Sequence, residues 1–261
     1  NIPGTNQCSS ANNSKWLTVV HENPEQFWNE SLNHELCSTV EKLIVSSMKG
    51  SLNYDAILHA RNQDAILPSL DIRYLDCSNN DFVAWSFLNK NFQVPVRLKK
   101  LEYFNAQGNN LPIFPAEVFG EMVSLKTLLL GHNRFGIAIT KLDVGRVENS
   151  KLRVLDLAYN NITQFPPDHV AGLAALEQLN LSGNSLQSFD LKIDHMHNLT
   201  HLNLSWNNIN HFSPSEQNTL DGLVTLPGAR IEAAEKQVSK CVVGLAVEHL
   251  AKRLCSLLGV A

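Results

Sequence analysis

The segment Leu199–Ile209, LTHLNLSWNNI, decides the fold because its pattern recurs along the chain. As a template it reads apolar, x, x, apolar, x, apolar, x, x, Asn, x, apolar. The other clear copies are LEQLNLSGNSL at 176–186, LRVLDLAYNNI at 152–162, LKTLLLGHNRF at 125–135, LEYFNAQGNNL at 101–111 and IRYLDCSNNDF at 72–82. A degenerate copy, VEKLIVSSMKG, begins at Val40 and has Met48 in the asparagine position.

The spacing of the copies predicts a stacked architecture. The first residues of successive clear copies are 29, 24, 27, 24 and 23 positions apart. Each copy predicts a short strand with alternating apolar side chains, followed by a turn at the asparagine. The inward side chains of one copy cannot be buried alone, so the copies must stack. The sequence therefore predicts about seven repeats over residues 40–226.

This pattern resembles the leucine-rich repeat family over roughly residues 40–223. The resemblance implies an α/β solenoid, a horseshoe with a parallel concave β-sheet and an irregular convex side. It also implies that the repeated asparagines are buried and bond to the backbone of neighbouring coils; these are Asn80, Asn109, Asn133, Asn160, Asn184 and Asn207. The Phe-Pro segments between strands are typical of extracellular repeats, and Phe114, Phe119, Phe165 and Val170 are expected on the convex side of the core.

The two ends of the chain depart from the template. Residues 1–39 are predicted to form an N-terminal cap over the first coil, closed by a disulfide between Cys8 and Cys37. The alternative, that either cysteine pairs elsewhere, stays open. Residues 227–261 are predicted to form an amphipathic helix from about Arg230 to Leu258. This helix either covers the last coil or pairs with a helix of another chain.

The remaining cysteines constrain that helix. Cys241 and Cys255 would lie about 21 Å apart on a straight helix, whereas a disulfide needs Cα atoms within about 7 Å. They pair with each other only if the helix breaks; otherwise at least one is free or reaches another chain. Cys77 occupies an inward template position and is expected to be a buried free thiol.

Composition favours a secreted chain. The five cysteines fit no zinc spacing, and six Asn-x-Ser/Thr triplets accompany them, at Asn12, Asn29, Asn161, Asn180, Asn198 and Asn203. The sequence starts without Met or a signal segment, so we interpret it as a mature or trimmed secreted form. The net charge of −4 without a basic block disfavours a nucleic-acid partner. The apolar stretch CVVGLAV is too short to span a bilayer.

Residue patterns for catalysis are absent from the sequence. It has no nucleophile elbow, phosphate loop, zinc-protease helix or dinucleotide fingerprint. We therefore predict no enzyme activity and no cofactor. The cluster Asp194, His195, His197 and His201 is interpreted as surface histidines and not as a metal site, because it offers no fixed second ligand pair.

Outward strand positions, and positions beside them where the strands end, supply the candidate ligand-binding residues on the concave face. These are Tyr74, Tyr103, Leu129, Val154, Tyr159, His201 and Trp206. The fold does not require apolar or aromatic groups there. Exposed aromatics among polar neighbours are typical of protein-binding patches.

Within the family, the Phe-Pro repeats, the early cysteine pair and the cysteine-bearing helix resemble secreted insect leucine-rich immune molecules and Toll ectodomains. The resemblance implies an extracellular innate-immune recognition protein, either secreted or the ectodomain of a membrane receptor. Its partner would be a protein or microbial surface ligand, bound through the concave face or the C-terminal helix, and that helix could support a homodimer or heterodimer. The alternative is an adhesion or matrix-organising repeat protein, which only the ligand would distinguish.

Overall fold

The computed structural model describes residues 16–18, 41–44, 72–80, 82–83, 99–113, 119–120, 122–136, 151–165, 173–188, 196–209 and 230–232. These residues include nine three-residue strands that form one parallel sheet in chain order. The strands are β1 (Trp16–Thr18), β2 (Lys42–Ile44), β3 (Tyr74–Asp76), β4 (Tyr103–Asn105), β5 (Thr127–Leu129), β6 (Val154–Asp156), β7 (Gln178–Asn180), β8 (His201–Asn203) and β9 (Arg230–Glu232).

The register of the sheet aligns equivalent positions of the repeats. Leu75 faces Phe104, which in turn faces Leu128, and the same alignment continues to β8. The middle residues of β3 to β8 are between 0% and 4% exposed; they are Leu75, Phe104, Leu128, Leu155, Leu179 and Leu202. Successive side chains on a strand point to opposite faces, so the flanking strand residues form the open, concave face. The predicted parallel solenoid is confirmed.

The convex side of the core is built partly by aromatic residues. Phe119 is fully buried and Phe165 is 6% exposed, as the sequence predicts. The Phe119 and Phe104 ring centroids lie 6.0 Å apart at an interplanar angle of 46°, a separation within the range of interacting aromatic pairs. Phe114 and Val170 lie outside the described residues.

The predicted asparagine ladder is confirmed, and all six asparagines are between 0% and 6% exposed. Asn184 shows the full pattern. Its Nδ2 donates to the carbonyls of Leu157, Leu181 and Ser182 at 2.9–3.3 Å. Its Oδ1 accepts from the backbone N–H groups of Asn160 and Ile162, both at 3.0 Å. One side chain thus satisfies buried backbone groups of two adjacent coils, which would otherwise be costly to bury.

The hydrogen-bond pattern of the ladder differs at Asn160. At Asn133 and Asn207, Oδ1 accepts from the N–H of the last template residue of the preceding copy. Asn160 Oδ1 is buried and has no hydrogen-bond partner among the described residues. Here Gly136, at φ +56°, donates its N–H to the Asn160 carbonyl at 2.8 Å. The change falls where successive copies are 27 residues apart, so the longer spacing coincides with a local rearrangement of the turn.

The sheet extends beyond the clear copies at both ends. β2 confirms the strand of the degenerate copy, since Leu43 faces Leu75, and β1 adds a parallel strand from within the predicted cap. Arg230–Glu232 form β9 beside β8, so the expectation that a helix begins at about Arg230 is wrong for these residues. The physical reason is that β8 offers a row of unpaired backbone groups, which pairing with another strand satisfies.

Several predictions from sequence fall elsewhere in the chain. Cys8, Cys37, Cys241, Cys255, Asn12, Asn29 and the remainder of the C-terminal segment lie outside the described residues. In the part of the chain that the structure describes, no helix is long and apolar enough to cross a bilayer.

Cys77 is a buried free thiol, as predicted. Its Sγ donates to the Asn105 carbonyl at 3.3 Å. Burial, followed by the neighbouring Asp76 carboxylate, raises the pKa of Cys77 well above its ordinary value of 9.0. Above pH 9.0, the folded chain therefore retains a proton on Cys77 that the unfolded chain releases. The contribution of Cys77 to stability is complete below pH 9.0 and declines as the pH rises above it.

We expect Cys77 to resist iodoacetamide at pH 8 in the folded chain and to react once urea unfolds it, because the thiolate is the reactive species. Mass spectrometry of the peptide containing Cys77 measures the modified fraction over time. Cys77→Ala supplies the control for peptide assignment. Equal rates in the folded and urea-unfolded chains would contradict the burial of the thiol.

Candidate functional site

The second outward residue of most strands closes its own turn. The side-chain Oδ1 atoms of Asp76, Asn105, Asp156, Asn180 and Asn203 accept the backbone N–H two residues later at 2.9–3.1 Å. This Asx turn fixes the chain where the strand ends. The sequence signal for this role is the Asp or Asn that stands at this offset in five of the six clear copies.

A cavity of about 300 Å³ opens on the concave face across β5 to β8 and is called the groove below. Its lining includes Leu129, Val154, Asp156, Gln178, Asn180, His201 and Asn203. The volume is at the lower end of the range for ligand sites. The groove brings together three of the candidate binding residues from the sequence, Leu129, Val154 and His201.

Asp156 supplies a carboxylate to the groove. Its Oδ1 accepts from the Ala158 backbone N–H at 2.9 Å, and its Oδ2 accepts from Gln107 Nε2 at 3.1 Å. Both donors are uncharged, and they hold the carboxylate in one orientation. Asp156 is therefore an oriented carboxylate in a groove whose other lining residues are amides, apolar side chains and His201.

Charged residues just before the strands form a separate edge. Arg73 and Lys126 both contact Glu102, at 2.7 and 2.6 Å, and Arg153 lies 3.3 Å from Glu177. The hydrogen bonds from Lys126 and then Arg73 lower the pKa of Glu102. These exposed pairs contribute little stability because water screens them. Their cations already contact carboxylates of neighbouring repeats.

The residue before each ladder asparagine adopts a left-handed backbone conformation. The positions are Asn79, Gly108, His132, Tyr159, Gly183 and Trp206, with φ between +53° and +66°; we call this column the ridge. The turn requires this conformation because the N–H at the position bonds to the next copy, as from Tyr159 to the Ser182 carbonyl at 2.8 Å. Asn and Gly accept such a conformation readily, whereas other L-residues lose about 1–2 kcal/mol.

Aromatic side chains nevertheless occupy half of the ridge. Tyr159 is 47% and Trp206 is 48% exposed, and the His132 and Tyr159 rings stack with centroids 4.5 Å apart at 12°. A Cβ placed on Gly183 would come within 2.4 Å of the Tyr159 ring, so Gly183 provides the room that the ring needs. Each aromatic ridge residue stands three positions after a groove residue, namely Leu129, Asp156 or Asn203.

Tyr74 and Tyr103 form a different cluster. Their rings stack with centroids 4.0 Å apart and an angle of 3°, and Lys42 Nζ lies 4.0 Å from the Tyr74 ring centroid. Burial, together with the adjacent Tyr74, raises the pKa of Tyr103. The structure thus divides the predicted binding residues into groove, ridge and tyrosine stack.

The histidines are surface groups where they are described. His197 and His201 are exposed, and His201 Nδ1 lies 2.8 Å from the Thr200 hydroxyl. The described residues contain no group of three side chains suited to hold a metal ion. Asp194 and His195 lie outside the described residues.

The described glycosylation candidates fall in two places. Asn180 and Asn203 line the groove, and Asn180 Oδ1 accepts a further bond from the Ser182 hydroxyl at 2.8 Å. Asn161 and Asn198 are exposed, and Asn198 Nδ2 donates to the Ala174 carbonyl at 3.0 Å. A sugar on either of the first pair would occupy groove space.

The in-register parallel sheet and its asparagine ladder define a leucine-rich repeat solenoid. Models of the leucine rich repeat match residues 138–186 and 195–210. The chain is 30% identical over 38% of its length to the PH domain leucine-rich repeat protein phosphatase 1 of Rattus norvegicus, and 30% identical over 38% of its length to Toll-like receptor 4 of Pinctada imbricata. It spans only 6% and 11% of these curated relatives.

A solved structure supports the same fold. Human 5T4 (Wnt-activated inhibitory factor 1, trophoblast glycoprotein) aligns with a TM-score of 0.58 and 20% identity. The alignment covers 88% of this chain and 78% of that one. At this identity the likeness concerns the repeat architecture.

Proposed function

We propose that this chain is the recognition part of an extracellular innate-immune protein that binds a protein or microbial ligand through its concave face. The similarity to part of a Toll-like receptor supports this role, as do the groove and the exposed aromatic rings beside it. The Cys8–Cys37 disulfide, sugars on the described candidates and dimerisation through the segment bearing Cys241 and Cys255 are further parts of this proposal.

The observation that carries the proposal is the aromatic half of the ridge. Asn79, Gly108 and Gly183 show that small residues make the same turn. Tyr159 and Trp206 carry the conformational cost of about 1–2 kcal/mol each and leave half of their surface in water. Strain that the fold does not need is concentrated at functional sites in proteins, and Tyr and Trp are frequent anchors of protein interfaces.

Replacing Trp206 by Asn tests this proposal. Stability is expected to change by no more than about 1 kcal/mol, because relief of the left-handed strain offsets the lost partial burial of the indole. Ligand binding is expected to weaken by about tenfold or more, the usual loss for an aromatic anchor. Urea unfolding measures the first effect. Capture from the extracellular fluid of the organism, followed by titration of the captured ligand, measures the second.

The matched control is Val123→Asn, because Val123 is 47% exposed and lies off the ridge. This substitution introduces Asn at a position as exposed as Trp206. The amount of captured ligand should therefore remain at the wild-type level. Tyr159→Asn should reproduce the loss seen with Trp206→Asn. A ligand captured equally well by wild type and both ridge variants would contradict recognition through this face.

A further inference from the structure

We infer that the groove receives a lysine or arginine side chain from an extended peptide segment of the partner. This inference rests on the proposed function and specifies the chemistry of the ligand at the same face. Asp156 gives the position of the cation, and the remaining groove residues favour a peptide as its carrier.

The carboxylate of Asp156 is the anchor for the cation. Its two recorded donors, the Ala158 N–H and Gln107 Nε2, are neutral, so they orient the charge without cancelling it. Among the described residues, no cationic side chain lies within 4.0 Å of it. A partner ammonium or guanidinium would form a charge-assisted hydrogen bond with a carboxylate that is already oriented.

Basic side chains near the groove repel a partner cation bound at Asp156 only weakly. Arg153 precedes Asp156 by three residues, which corresponds to about 10 Å along a strand. This distance exceeds the screening length of about 8 Å in physiological salt. Arg153 also contacts Glu177 at 3.3 Å. His201 lies two strands away from Asp156, again about 10 Å.

The rest of the groove suits an extended peptide. Leu129, beside Asp156 on β5, and Val154, before it on β6, provide an apolar wall. Gln178 and Asn180 provide amides on β7, the other neighbouring strand. Side-chain amides both donate and accept hydrogen bonds, as peptide groups do. The apolar wall can contact the methylene stem of a lysine or arginine, whose charged head then reaches the carboxylate.

The aromatic ridge supplies a second feature that favours a cation. Tyr159 and Trp206 follow groove residues on β6 and β8 and are half exposed. Aromatic faces attract ammonium and guanidinium groups, and Trp does so most strongly. The same chemistry already operates within this chain, where Lys42 Nζ lies 4.0 Å from the Tyr74 ring centroid.

The test is to pan a phage-displayed library of random linear dodecapeptides against the full chain. We expect the selected peptides to share one Lys or Arg beside apolar residues. In fluorescence anisotropy, Asp156→Asn should weaken a selected peptide by about tenfold. A peptide with norleucine in place of that Lys should bind wild type and Asp156→Asn equally. The chain is assayed with and without its N-glycans, since Asn180 and Asn203 line the groove.

The fold supplies matched variants. Asn occupies the position of Asp156 in β4, β7 and β8 and makes the same turn, so Asp156→Asn should fold normally. Asp76→Asn makes the same change in β3, outside the groove lining, and should leave affinity unchanged. Selected peptides without a shared cation, or equal affinity of wild type and Asp156→Asn for the Lys peptide, would overturn the inference.

The outcomes separate this inference from the proposed function. If Trp206→Asn abolishes ligand capture while Asp156→Asn has no effect, recognition through the concave face stands and the cation inference fails. If no peptide is selected and the ridge variants capture ligand normally, the proposed function fails as well.

Discussion

Replacing Asn184 by Ala is expected to lower the free energy of unfolding by about 2–6 kcal/mol, because two buried backbone N–H groups lose their acceptor. Asn184 Oδ1 accepts from Asn160 N and Ile162 N, both at 3.0 Å. An unsatisfied buried donor costs about 1–3 kcal/mol. The carbonyls that Nδ2 contacts keep other donors; for example, that of Leu181 also accepts from Asn207 Nδ2 at 2.9 Å. The two backbone N–H groups therefore account for most of the lost free energy of unfolding.

Urea unfolding followed by circular dichroism measures this change, with Asn208→Ala as the control. Asn208 is exposed and lies beside the ladder residue of the next copy, so its truncation should cost less than about 0.5 kcal/mol. Hydrogen exchange gives a local readout, since the amides of Asn160 and Ile162 should lose protection first. A change in Asn184→Ala no larger than in Asn208→Ala would contradict a structural role for the ladder.

Replacing Phe104 by Ala is expected to destabilise the chain by about 3–5 kcal/mol, the usual cost of removing a buried aromatic ring. Phe104 is fully buried, lies between Leu75 and Leu128 in the sheet, and packs against Phe119 at 6.0 Å. Neighbouring coils hold the walls of the resulting space apart through their strand pairing. The cavity therefore cannot collapse completely.

The repeat itself offers the matched control for this prediction. Every other described clear copy has Leu at the equivalent position, so Phe104→Leu should cost no more than about 1.5 kcal/mol. The unfolding midpoints of wild type, Phe104→Leu and Phe104→Ala should fall in that order in urea. Equal midpoints for wild type and Phe104→Ala would show that the aromatic layer between the sheet and the convex side contributes no stability.

Features that every copy repeats could be predicted from sequence. The inward leucines, the ladder asparagines and the buried Cys77 occupy fixed offsets, and the sheet register aligns them. Identical offsets demand the same environment in each coil, so one correct template fixes many residues at once. The Asx turns of Asp156 and Asn180 obey the same logic. Their signal in the sequence is the recurrence of Asp or Asn at this offset in five of the six clear copies.

Features that differ between copies needed the structure. The three-residue β9 carries too little periodicity to be recognised, and it forms because it completes the exposed edge of β8. The stacking of His132 on Tyr159 joins residues 27 positions apart. The left-handed conformation of Trp206 likewise depends on a turn whose hydrogen bonds extend to another coil.

The sequence by itself determined the solenoid, its core and its ladder, because burial acts on each repeat through side chains at fixed offsets. Only the tertiary structure decided which outward residues form the groove and which form the ridge. Parallel pairing places equivalent positions about 4.8 Å apart, although the chain separates them by 23–29 residues. The carboxylate of Asp156 and the amide of Gln107 meet only because of that pairing, and the candidate site depends on such contacts between coils.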